Sequence, residues 1–195
     1  MKKNLHRLLN TLLIATPLGL AAVPAAAGWE EGLAAYNAQD FALALKEFRA
    51  LADQGDARAQ LKLGIMYDHG RGLAKSASDA ARWYRQAAEQ GDVTAQNNLA
   101  MMLEEGRGVA RKAQEALGWY RKSALQGTHS AQFNLGVAYD QGQGVAVDKR
   151  EATTWYLQAA EGGNVNAQFN LGLMYAGGWA FPRTWPKRCT GMAKP

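Results

Sequence analysis

The chain has 195 residues, a formal net charge of +5 and one cysteine, Cys189, so no intramolecular disulfide can form. Seven of its 22 basic residues lie before Gly28 or beyond Gly178, where no acidic residue stands, which leaves 15 basic residues between them against all 17 acidic ones. That central segment is near −2, and it offers no basic face of the kind a nucleic-acid footprint requires.

Residues 1–27 carry the three parts of a secretory signal peptide. Lys2, Lys3 and Arg7 make a basic start, 8–22 is mostly apolar, and Ala25-Ala26-Ala27 offers a small-residue cleavage site before Gly28. The expectation is cleavage after Ala27 and a periplasmic or secreted chain with no membrane span left in it. An uncleaved anchor fits worse, because the apolar run is too short to span and Pro17 interrupts it. No cysteine follows that run to take a lipid.

A 36-residue period governs the chain from 28 to 178. Ala59-Gln60-Leu61-Lys62-Leu63-Gly64 returns as Ala95-Gln96-Asn97-Asn98-Leu99-Ala100, as Ala131-Gln132-Phe133-Asn134-Leu135-Gly136 and as Ala167-Gln168-Phe169-Asn170-Leu171-Gly172. Trp83-Tyr84, Trp119-Tyr120 and Trp155-Tyr156 keep the same step. Full units span 57–92, 93–128 and 129–164; 28–56 is a degenerate opening unit in which Phe48 stands where Tyr84 would, and 165–178 is the first helix of a further unit. Self-similarity of this length marks a stack of helix pairs, whose usual work is to hold partners.

Within each unit the punctuation predicts two helices. Asp56, Asp92, Thr128 and Asn164 are N-cap residues, each preceded by a glycine suited to a left-handed helix end: Gly55, Gly91, Gly127 and Gly163. Helix A then spans about 57–69, with Ala59, Leu63 and Tyr67 on one face. Gly70-Arg71-Gly72 and its copies break the chain, and helix B follows over about 78–89. Short side chains at Gly64, Ala100, Gly136 and Gly172, and at Ala88, Ala124 and Ala160, permit close approach of helices. The Trp-Tyr pairs are expected to fill the seam between units, since one unit cannot bury its apolar face alone.

The phrase A-Q-x-x-L-G-x-x-Y, then G-x-G, then W-Y-x-x-A-A, resembles the Sel-one-like repeat family, relatives of the tetratricopeptide repeats. The resemblance covers 28–178. It implies an all-α fold, a right-handed superhelical solenoid of antiparallel helix pairs whose concave face is lined by the A helices. It also implies a non-enzymatic scaffold or adaptor, since exported members serve in envelope signalling and polysaccharide export. Some secreted members are linked to cell-wall or β-lactam binding and hydrolysis; those are rich in cysteine, with a disulfide in each repeat, which this chain lacks.

Beyond Gly178 the pattern vanishes into Trp179-Ala180-Phe181-Pro182-Arg183-Thr184-Trp185-Pro186, a poor helical cap. Back-translation accounts for it. Joining the wobble base of each codon to the first two bases of the next gives, with suitable wobble choices, Gly-Val-Pro-Gln-Asp-Leu-Ala-Glu-Ala-Val-His-Trp-Tyr. Its Trp-Tyr falls where Gly191 and Met192 now stand, 36 positions beyond Trp155 and Tyr156. The expectation is a one-base loss near codon 179, leaving a tail without apolar patterning, expected to be disordered, and an exposed last helix prone to aggregate. A basic binding appendage is the other reading of the tail.

Chemistry is sparse. His69 shares its position with Glu105 and Gln141 and is expected to be solvated, and His129 has no partner at metal-ligand spacing. Glu104-Glu105 is a local acidic pair and not two carboxylates across a cleft; no nucleophile signature or phosphate loop is present. No catalytic residue, metal or cofactor is expected. Lys62, Asn98, Asn134 and Asn170 form one column along the A helices, and their amides suit the backbone of an extended peptide. The competing reading has these side chains bond their own helix or the adjacent unit. Gln60, Gln96, Gln132 and Gln168 repeat more strictly still, which points to a structural bond between units. The expected partner is an envelope protein or peptide held on the concave face.

Overall fold

The computed structural model describes residues 25–178; the expected signal peptide up to residue 24 and the tail 179–195 lie outside them. Among the described residues there are nine α-helices and no strand: α1 (Ala25–Asn37), α2 (Phe41–Asp53), α3 (Ala57–His69), α4 (Ala77–Glu89), α5 (Val93–Glu105), α6 (Ala113–Leu125), α7 (His129–Gln141), α8 (Lys149–Glu161) and α9 (Val165–Ala176). The odd-numbered helices are the A helices and the even-numbered ones the B helices. Each helix packs chiefly on its neighbours in the chain, within a unit and between units. Short connections between such neighbours make the pairs antiparallel, and their one-dimensional stacking is an α-solenoid.

The helix ends follow from the caps. Gly55, Gly91, Gly127 and Gly163 all have positive φ, between 87° and 98°, which closes each B helix in a left-handed turn. In the first of these turns the Gly55 amide donates to the Ala52 carbonyl at 3.0 Å and the Asp56 amide to Leu51 at 3.1 Å. Asp56 then opens α3, accepting from the Arg58 and Ala59 amides at 2.9 and 3.2 Å. Asp92 and Asn164 cap α5 and α9 through Ala95 and Ala167 at 2.8 and 2.9 Å. Thr128 departs from the expectation: it holds the N-cap position of α7 but its side chain makes no capping bond.

The opening unit also differs from the others. Seven residues join α3 to α4, whereas only three, 38–40, join α1 to α2. The tight turn places Gln39 at φ 62°, the one non-glycine with positive φ among the described residues. Shortening the loop by four residues moves the small-residue position to Gly32, which lies under the Phe48 ring as Gly64 lies under Tyr84.

The core is a strip along the stack, in two clusters that meet at α4. Trp83 joins the first, with Phe48, Ala59 and Leu63, while Tyr84 joins the second, with Leu99, Tyr120 and Leu135. At α4 the seam-filling pair is thus divided between the two clusters, whereas Trp119 and Trp155 pack, partly buried, against the same cluster as their tyrosines.

Candidate functional site

The glutamine column is the mortar between units. Gln60, Gln96, Gln132 and Gln168 each donate from Nε2 to a carbonyl of the preceding B helix, Ala52, Ala88, Ala124 and Ala160, all at 3.2 Å. On the other side, Gln90 and Gln126 donate to Oε1 of Gln60 and Gln96 at 2.7 and 3.1 Å. A buried amide with both ends satisfied ties three helices together.

The column Lys62, Asn98, Asn134 and Asn170 lies on successive A helices, and each member is half-buried. Lys62 Nζ stands 5.1 Å from the centroid of the Tyr36 ring. Asn134 donates to Asn97 Oδ1 at 3.1 Å, a bond between units. Asn98 lies beside the Tyr84 hydroxyl, and Asn170 faces that of Tyr156 without closing a bond of ordinary geometry. The amides therefore also serve the stack, most plainly at Asn134. Beside them run two columns with more apolar surface: Leu61, Phe133 and Phe169 in one, Ile65, Met101, Val137 and Leu173 in the other. Asn97 interrupts the first, buried to accept from Asn134.

Between α3 and α5 this face opens into a cleft of about 410 Å³, walled by Ile65, Met101, Tyr84, Asn98, Asp68 and Arg107. Its rim carries exposed His69 and Lys75, the latter without an ion pair among the described residues. Arg107 reaches back from the next unit's loop to pair with the nearly buried Asp68 and also holds Glu105 at 3.0 Å. The acidic column continues with Glu104, which accepts from the Tyr120 hydroxyl at 2.7 Å, and Asp140, which pairs with Lys149 at 2.5 Å. Both members of the Glu104-Glu105 pair are thus engaged in ties within the stack. This column and the loop arginine escaped the sequence reading, although Asp68, Glu104 and Asp140 keep the 36-residue step.

Burial raises the pKa of Tyr84, Tyr120 and Tyr156 above that of a free tyrosine, to about 12 for Tyr156. For Tyr120 the bond to Glu104 adds to the rise, because it holds the proton on the phenol. None of these groups is poised to exchange a proton near neutral pH. His129 Nδ1 lies 3.1 Å from Gln132 Oε1 at the start of α7. Among the described residues no three His, Cys, Asp or Glu side chains gather as a metal site, and no helix is long and apolar enough to cross a membrane.

The model of the Sel1 repeat matches residues 57–92, 93–128, 129–164 and 165–183. The chain belongs to the Sel1 repeat family. Two solved structures are similar to this Sel1 repeat protein. One is c5321, a protective antigen present in uropathogenic Escherichia coli strains and displaying an SLR fold. It is 39% identical with a TM-score of 0.77, over 79% of this chain and 34% of that one. The other is a Sel1 repeat protein from Oxalobacter formigenes, 35% identical with a TM-score of 0.74, over 82% of this chain and 65% of that one. The chain thus spans about a third of the first structure's length and just under two thirds of the second's. No curated protein matches it. Sel1 repeats generally mediate protein–protein interaction and are typically non-catalytic scaffolds.

Proposed function

We propose that this Sel1 repeat protein is a non-enzymatic adaptor of the bacterial cell envelope that binds a partner protein or peptide in extended form along its A-helix face. The observation that carries this reading is the pairing of columns on that face. Half-buried amides at Asn98, Asn134 and Asn170 run beside partly exposed apolar side chains at Ile65, Met101 and Val137. An extended chain offers backbone donors and acceptors along its whole length, which the amides match, and apolar side chains that the neighbouring column accepts. At the cleft Arg107 is already paired with Asp68 and Glu105, which leaves Lys75 as the charge that an acidic group of the partner meets. The envelope assignment rests on the signal-peptide pattern of residues 1–27.

Capture from envelope extract tests it, with the chain from Gly28 onward as bait. One defined partner should be retained by the parent and by a Gln86→Ala control on exposed α4 surface, and lost on joint Asn98→Ala and Asn134→Ala replacement in a variant that still melts cooperatively. Undiminished capture by the double variant removes the amide column from the site. Turnover of a cell-wall substrate by the purified chain would overturn the non-enzymatic reading.

A further inference from the structure

The last described helix leaves open two columns that every earlier A helix covers at least in part, while in the column of Val165 the counterpart His129 is exposed as well. Val165, Phe169 and Leu173 of α9 are 73%, 66% and 57% exposed. One unit earlier the same columns hold Phe133 and Val137, which are half-buried against the core. The difference has a visible cause at Phe133, whose ring lies 5.8 Å from that of Tyr156 on the following B helix. Gly136, in the same unit, is buried beneath the Tyr156 ring, whereas Gly172 is only half-buried. Gly178 has φ 72°, close to the 76° of Gly142 one period earlier.

In its own frame the sequence beyond Gly178 carries no B-helix pattern, whereas the shifted frame, with the wobble choices given above, does. The series Gly-Val-Pro-Gln-Asp-Leu-Ala-Glu-Ala-Val-His-Trp-Tyr matches unit three at more than its aromatic pair. Its first glycine and valine fall 36 positions beyond Gly144 and Val145, its aspartate 36 beyond the helix-capping Asp148, and its second alanine 36 beyond buried Ala152. The first glycine is fixed by the Trp179 and Ala180 codons, whereas the cap, the second alanine and the aromatic pair are allowed by wobble choice; that they share one register is an argument separate from the exposure of α9. We infer that the exposed face of α9 is the seat of an amphipathic B helix bearing a Trp-Tyr pair, encoded out of frame by the same nucleotides beyond codon 178. The tyrosine of that helix lies over Gly172 and against Phe169, completing a fourth repeat.

Two measurements test this. In the nucleotide sequence, the Thr190 codon must end in T for the tryptophan, and so must the Gly191 codon for the tyrosine; any other base at either place overturns the inference. In the protein, replacing 179–195 of the full chain by the shifted-frame series, continued through its Trp-Tyr, should raise the melting temperature by several degrees and abolish apolar-dye binding. No rise, or unchanged dye binding, overturns it. Phe169→Ser supplies the control for the seat: it should leave the melting temperature of the present chain nearly unmoved and lower that of the extended chain by about 4 °C or more. An equal effect in both chains places the added helix elsewhere and overturns the seat.

Discussion

Tyr84 lies so close over Gly64 that a Cβ built on the glycine would stand 2.5 Å from its ring. The same relation recurs between Tyr156 and Gly136, at 2.6 Å. Gly64→Ala should therefore destabilise the protein by about 1–3 kcal/mol through overpacking, despite the better helix propensity of alanine. A drop in the urea midpoint with an unchanged slope is the expected result; a gain in stability would show that the ring moves freely.

The glutamine bonds between units carry a second prediction. Gln96 is buried and holds both the Ala88 carbonyl and the Gln126 amide. Gln96→Ala removes both bonds, while the Ala88 carbonyl keeps the Gly91 amide at 3.0 Å and Gln126 keeps the Lys122 carbonyl at 3.3 Å, so it should cost about 0.5–1.5 kcal/mol. Gln168 makes the same bond to Ala160 but is only half-buried on the last described helix, so Gln168→Ala should cost less. Equal losses at the two positions in chemical denaturation would contradict this order.

Tyrosine-to-phenylalanine changes should differ between units. Tyr120 donates to Glu104 at 2.7 Å, and Tyr120→Phe removes that bond from a half-buried carboxylate, at about 1–2 kcal/mol. The buried Tyr156 hydroxyl has no bond of ordinary geometry among the described residues. Tyr156→Phe should be neutral or stabilising, because it removes a polar group that burial leaves unsatisfied. Thermal melts of the two variants side by side give the comparison.

Alkaline pH should unfold the stack early. The folded pKa of Tyr84, Tyr120 and Tyr156 is raised by burial, so the folded state keeps protons that the unfolded chain releases above about pH 10. The stabilisation is full below that pH and is lost as pH rises, through about 12 for Tyr156. Each such tyrosine lowers stability by about 1.4 kcal/mol per pH unit inside its window. Tyrosinate absorbance and helical circular dichroism should change together, and Tyr156→Phe should make the decline less steep. Ionisation of these tyrosines ahead of helix loss would refute the linkage.

Helix positions were legible from residues because each boundary is enforced locally. Asp56 needs no distant partner to cap α3, and Gly55 no distant partner to turn left-handed. The expected spans of about 57–69 and 78–89 accordingly appear as Ala57–His69 and Ala77–Glu89. The opening unit was harder to place in detail. Its loop is four residues shorter, so the 36-residue register that locates Gly64 does not point to Gly32.

The face of the A helices was legible only as columns. Asn98 and Asn134 look alike in sequence, yet one lies in a cleft beside Tyr84 and the other donates to Asn97 across the unit boundary. The Arg107 pairing with Asp68 joins residues of different units, and nothing in either repeat taken alone announces it.

By itself the sequence determined the period, the caps, the helices and the break after Gly178, since all of these arise from short-range backbone preferences and from repetition that self-comparison reveals. The tertiary structure decided which repeated polar residues are consumed in holding units together and which still face outward. It also showed that Phe169 stands exposed where Phe133 is partly covered. Burial and hydrogen bonding between units depend on how neighbouring helices meet, and that depends on packing across residues far apart in the chain.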